Sequence, residues 1–191
     1  MKRVLGVGLA LVCVVLLSSC SILPSPPGTI SDDDEQRAAV QMRHIADAVK
    51  HGDAAALKKL FSPRAREKAT DLDGGLKYFL SVFPSGKLTW KTKGTGSKSD
   101  TEGLKQAVEL YANYAVSVNG ENYSLHFAYF SVNSLDPDNV GIYALGVAPR
   151  ADYGYTASGE KTPFAKWVSQ FGISDTTHAA TGDPGVYIPP R

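Results

Sequence analysis

The tetrapeptide Val118-Asn119-Gly120-Glu121 limits the fold more than any other stretch of the chain. Asn followed by Gly best tolerates the two successive positive φ angles of a type I′ turn, whose twist matches that of paired strands. With Asn119 and Gly120 as a two-residue loop, Val116 faces Tyr123, Tyr114 faces Leu125, Ala112 faces Phe127, and Leu110 faces Tyr129. Every one of these pairs is apolar or aromatic, so one face of a long hairpin belongs to a core. The other face pairs Ser117 with Asn122, Ala115 with Ser124, Asn113 with His126 and Tyr111 with Ala128. It is mixed, and is expected to be wet near the turn.

Two further strands flank this hairpin in sequence, Leu88 to Lys93 before it and Val140 to Val147 after it. Together they predict a bent antiparallel sheet of about four strands. Everything upstream has helical spacing. Ser31 followed by Asp32, Asp33, Asp34 and Glu35 puts a capping hydroxyl and negative charge at a helix start, and the helix runs to His51, where Gly52 stops it. Asp53 caps a second helix, Ala54 to Phe61, closed by Pro63. A third helical region, Ala65 to Phe83, is expected to break at Asp73-Gly74-Gly75 and to exit through Pro84-Ser85-Gly86. Helices first and strands second make residues 35–148 an α+β domain in which the sheet closes over the helices. After Pro149 the chain turns to Gly, Ser, Thr and Pro. In this extension, 149–191, only Pro163 to Phe171 suggests a short helix, docked by Phe164, Trp167 and Phe171; Gly185 to Arg191 reads as a lid strand or a loose tail.

The chain starts with an address. Lys2 and Arg3 precede an uncharged apolar run, Val4 to Leu17, that ends in small residues, the layout of a secretory signal peptide. The run falls short of the roughly 20 apolar residues that span a bilayer. Leu17-Ser18-Ser19-Cys20 resembles the lipobox of bacterial lipoproteins. That resemblance implies removal of residues 1–19, a diacylglyceryl thioether on Cys20, and a protein held on the extracytoplasmic face of the cell membrane. Two acyl chains anchor stably where one does not. Residues 20–34, with Pro24, Pro26, Pro27 and Gly28, form a tether able to hold the domain about 45 Å from the lipid when fully extended.

The order of elements, the Gly52-Asp53 joint, the Leu60-Phe61-Ser62 ending, the Asp71-Leu72-Asp73-Gly74 step and the long hairpin resemble the nuclear transport factor 2-like, cystatin-like cone. More narrowly, they resemble a domain-of-unknown-function family of lipoproteins from Gram-positive bacteria. The similarity covers Glu35 to Val147, with a trace at Trp167 and Gly172-Ile173. It implies a fold and carries over no activity, since that family has none established.

Composition excludes several classes. Twenty Lys and Arg against 19 Asp and Glu leave a formal charge of +1, without the basic excess that drives nucleic-acid binding. Two Cys and four His show no metal-ligand spacing, so neither a metal nor a cofactor is assigned. His44 and Asp47 read as an exposed helical pair. Asp136-Pro137-Asp138-Asn139 reads as a turn rather than a calcium loop, and Gly94 to Ser99 as a flexible connection lacking the Gly-Lys-Ser/Thr of a phosphate loop. No Gly-x-Ser-x-Gly elbow occurs, and no catalytic residue is assigned. The remaining asset is aromatic. Tyr114, Tyr129 and His126 on the hairpin are the candidate contacts for a small apolar ligand in a cone cavity. The preferred expectation is a non-catalytic domain serving an envelope protein or such a ligand. The alternatives are an enzyme using the cavity, with Tyr, His126 or a helical Asp as acid or base, and a structural subunit that dimerises through its Tyr111, Ala128 and Phe130 sheet face.

Overall fold

The computed structural model describes residues 32–83, 87–150, 153–173 and 180–189. The signal segment, Cys20, the tether, Ser31 and His178 lie outside these. Four helices come first: α1 (Asp32–His51), α2 (Ala54–Leu60), α3 (Pro63–Lys68) and α4 (Leu72–Val82). Then come four long strands: β1 (Leu88–Glu102), β2 (Lys105–Val118), β3 (Glu121–Asn133) and β4 (Gly141–Pro149). The extension adds α5 (Pro163–Val168) and three two-residue strands: β5 (Gly172–Ile173), β6 (Ala180–Thr181) and β7 (Gly185–Val186). The α+β class is as expected, but the main sheet has five strands in the order β1-β2-β3-β4-β7. The fifth is the tail. Rather than lying loose, β7 pairs parallel with β4, Ala144 opposite Gly185 and Leu145 opposite Val186.

Local chemistry explains most boundaries. Asp53 caps α2 by accepting from Ala56 N at 2.8 Å, and Asp71 caps α4 by accepting from Gly74 N at 2.8 Å. Pro63 starts α3 rather than merely ending α2, because at a first helical position its missing N–H costs nothing. Ser62 caps that same helix through Ala65 N at 3.0 Å. The third helical region therefore breaks at residues 69–71, where Asp71 can cap, and Asp73-Gly74-Gly75 lies within the first turns of α4. β1 also exceeds its expected span. Gly94 to Ser99 is not a connection but strand, paired with β2 across a register shift between Thr92 and Gly94.

The hairpin turns where the sequence places it. Asn119 and Gly120 adopt φ of 52° and 88°, and Val116, Tyr114, Ala112 and Leu110 face Tyr123, Leu125, Phe127 and Tyr129. The inner face packs on α1, α2 and α4 through Met42, Ile45, Leu57, Leu76, Phe79 and Phe127, none of them solvent-exposed beyond 1%. At about 1.5–3 kcal/mol for each large apolar side chain, this layer is the main source of stability. Arg64 on α3 meets Asp136 at 2.8 Å, tying the helices to the β3–β4 connection, where Pro137–Asn139 forms a single 3-10 turn. The Asp-Pro-Asp-Asn stretch is a turn, as expected, held by Asn133 Oδ1 accepting from Asp136 N and by Asn139 donating its amide to the Asp136 carboxylate.

Candidate functional site

The sheet's alternation separates the sequence-derived candidates. Tyr114 points toward the helices, 2% exposed, its ring 6.0 Å from Phe127 in a stacked pair. Burial is the main cause pushing its hydroxyl pKa up. Tyr129, opposite Leu110 on the same face, is half-buried against this core. His126 is on the opposite face. The structure therefore does not gather the three into one cavity. The inner face is filled by side chains, and His44 and Asp47, both exposed, border only a shallow depression between α1 and α2.

The outer face is exposed or half-buried near the turn, at Ser117, Asn122 and Ser124, and farther along the strands it is roofed by the extension. Trp167 and Phe171 lie over His126 with ring centroids at 6.1 and 6.3 Å, and Phe164 stacks on Trp167 at 5.8 Å. Gly146 makes this approach possible, since a Cβ there would sit 2.5 Å from the Trp167 ring. Tyr143 donates its hydroxyl to Gly182 O at 3.1 Å, a second clasp on the roof. Ala128 and Phe130, the apolar patch expected to meet a second copy, are fully buried beneath it.

Two ionisable groups lie sealed under this roof. His126 Nδ1 is 3.0 Å from Asn113 Oδ1, and its Nε2 has no hydrogen-bond partner. Desolvation lowers its pKa to about 4, so the ring is neutral. An amide oxygen only accepts, so Nδ1 carries the proton and Nε2 is bare. Glu109, opposite Phe130 at a register shift in the β2–β3 pairing, is 0% exposed and neither carboxyl oxygen has a partner. Burial raises its pKa to about 7, with Lys98 on β1 pulling the other way. Glu109 carried no sequence signal, because a Glu on the mixed face of a strand looks like a surface residue until a roof is known.

Beside the roof is a cleft of about 590 Å³, lined by Tyr78 of α4, Pro149 at the end of β4, and Tyr155, Pro163, Phe164 and Tyr187 of the extension, among others. Its lining offers rings, hydroxyls and backbone, with no carboxylate, imidazole or amine. The aromatic spacing of Phe164 and Trp167 pointed to a docked helix. Tyr155 and Tyr187 gave no such signal, since only folding brings them beside Tyr78. Among the described residues, no group of three His, Cys, Asp or Glu is placed to hold a metal ion. No helix among them is long and apolar enough to cross a membrane.

Residues 44–151, from the middle of α1 to just past β4, match the family described as "Domain of unknown function (DUF5104)". The chain belongs to that family. The match ends where the extension begins, so the roof and most of the cleft lie outside the DUF5104 segment. No curated protein matches the chain.

Proposed function

We propose that this DUF5104 protein is a lipoprotein anchored through Cys20 on the extracytoplasmic face of the cell membrane of a Gram-positive bacterium, and that its domain binds a ligand or partner without catalysis. The helix-helix-helix-helix-strand order, with α1, α2 and α4 packed on the inner face of the sheet, supports reading the domain as a nuclear transport factor 2-like cone. The observation that carries the binding reading is the aromatic cleft. It joins α4, β4 and the extension, and its tyrosine rings and hydroxyls suit a small ligand with an apolar body and a few polar groups. Acid–base catalysis would call for an ionisable side chain at the reacting atoms, and the lining supplies none below the phenols.

Native mass spectrometry of the protein released gently from its own host tests this. A reproducible small-molecule adduct that is lost in Tyr155→Ala is the expected result. A bare protein in both forms, with the same envelope partner captured by cross-linking before and after the substitution, would move binding away from this cleft.

A further inference from the structure

A second cleft, of about 380 Å³, opens where the outer face meets the end of β4, and it collects hydrogen-bond donors from β1, β2, β3 and the residue that follows β4. Lys93 comes from the β1 irregularity, Asn113 from β2, Ser124 from β3 and Arg150 from just past β4, with Tyr153 beside them. Two cations facing one cleft repel each other unless an anion lies between them. Neither Lys93 nor Arg150 is in an ion pair among the described residues, where the ion pairs involve Arg37, Lys58, Arg64 and Lys68.

The remaining groups are arranged to the same end. Because neutral His126 donates Nδ1–H to Asn113 Oδ1, the amide oxygen is occupied and the NH2 is what Asn113 has left to offer. The buried imidazole thus acts as a positioning residue, turning an ambivalent amide into a donor. Gly94, opposite Asn113, keeps the floor open: a Cβ there would meet nothing within 4 Å. The geometry points to this cleft, framed by Lys93, Asn113, Ser124 and Arg150, as a binding site for a phosphate group. Arg supplies a planar fork for two oxygens, Lys a point charge, and the hydroxyl and amide donors fit the remaining oxygens. This site is separate from the aromatic cleft and stands or falls independently of it.

Amide resonances of Gly94, Asn113 and Ser124 in the isotope-labelled full chain, held in non-ionic detergent at constant ionic strength, read the binding directly. Inorganic phosphate is the first probe, and saturable shifts at these three amides are expected. Arg150→Ala removes a charge-assisted contact and should weaken binding roughly tenfold. Gly94→Val, compatible with a strand, should block the floor and weaken binding while leaving both charges in place. Glycerol 3-phosphate and short-chain phosphatidylglycerol then separate the sources of the phosphate. Tighter binding of the lipid assigns a headgroup, and tighter binding of the soluble ester assigns a dissolved ligand. Absence of shifts with all three probes, or shifts unchanged in both variants, overturns the proposal.

Discussion

Glu109 and His126 share one roof and respond to pH in opposite directions. Burial favours the neutral form of each, because charging it there strips solvent without providing a partner. For Glu109 the folded pKa of about 7 exceeds the ordinary 4.5, so the unfolded chain gives up its proton first. Its contribution is complete below pH 4.5, shrinks as pH rises, and levels off above 7. For His126 the folded pKa of about 4 is below the ordinary 6.5, so stability falls as pH drops through that interval. Each contribution changes by about 3 kcal/mol over its own interval, but the intervals overlap with opposite slopes, so between pH 4.5 and 6.5 the two cancel and their sum is nearly flat. Urea midpoints of the unsubstituted chain measured from pH 4 to 8 should therefore change little on account of these two groups. Glu109→Gln, which leaves His126 uncompensated, should make stability rise by about 3 kcal/mol between pH 4 and 6.5, and His126→Asn, which leaves Glu109 uncompensated, should make it fall by about as much between pH 4.5 and 7. A profile that stays flat in either variant would show that the two groups are not the opposing sources described.

At the scale of elements, α5 depends on one position of β4. Gly146→Val would put a Cβ 2.5 Å from Trp167 and 2.8 Å from Phe164, while Val itself suits a strand. The sheet should persist, α5 should lift, and the cost should be about 1–3 kcal/mol. Trp90 is already 41% exposed, so a red shift in tryptophan emission would report on Trp167. Unchanged emission together with unchanged stability would mean that α5 does not need the bare glycine. The elements themselves were unevenly legible. Asn119-Gly120, Asp53 and the Leu57, Leu60, Phe61 spacing act locally, and the structure follows them. Pro63 and Asp71 misled because each signal has two uses: a Pro that ends one helix is equally favourable as the first residue of the next, and a capping Asp competes with nearby glycines to mark the break. β1 ran past Lys93 because pairing with β2 outweighs the weak strand preference of Gly94 and Gly96.

For the whole molecule, the proposed anchor and the described fold occupy different parts of the chain. With lipidation proposed at Cys20, Cys20→Ala should move the protein from the membrane fraction to the medium. The decisive readings are fractionation and intact mass. Retention at the membrane, with no mass change beyond the substitution, would refute lipidation at Cys20. The extension, in contrast, is integral to the fold, since β7, Trp167, Phe171 and the Tyr143 hydroxyl bond tie it across the outer face.

By itself the sequence determined what depends on neighbours along the chain: helix caps, the hairpin turn and its register, the α+β order, and the charge balance. Periodicity also assigned each hairpin residue to one of two faces, which placed Tyr114 and Tyr129 together and His126 apart. It could not say what covers each face, because burial is a property of contacts between segments distant in sequence. Only the tertiary structure decided that the tail roofs the mixed face, sealing Glu109 and His126 from water. The same roof sets Tyr155 and Tyr187 beside Tyr78, and the sheet gathers Lys93 and Arg150 at one cleft. Those are the features on which the proposed binding sites rest, and no local pattern encodes them.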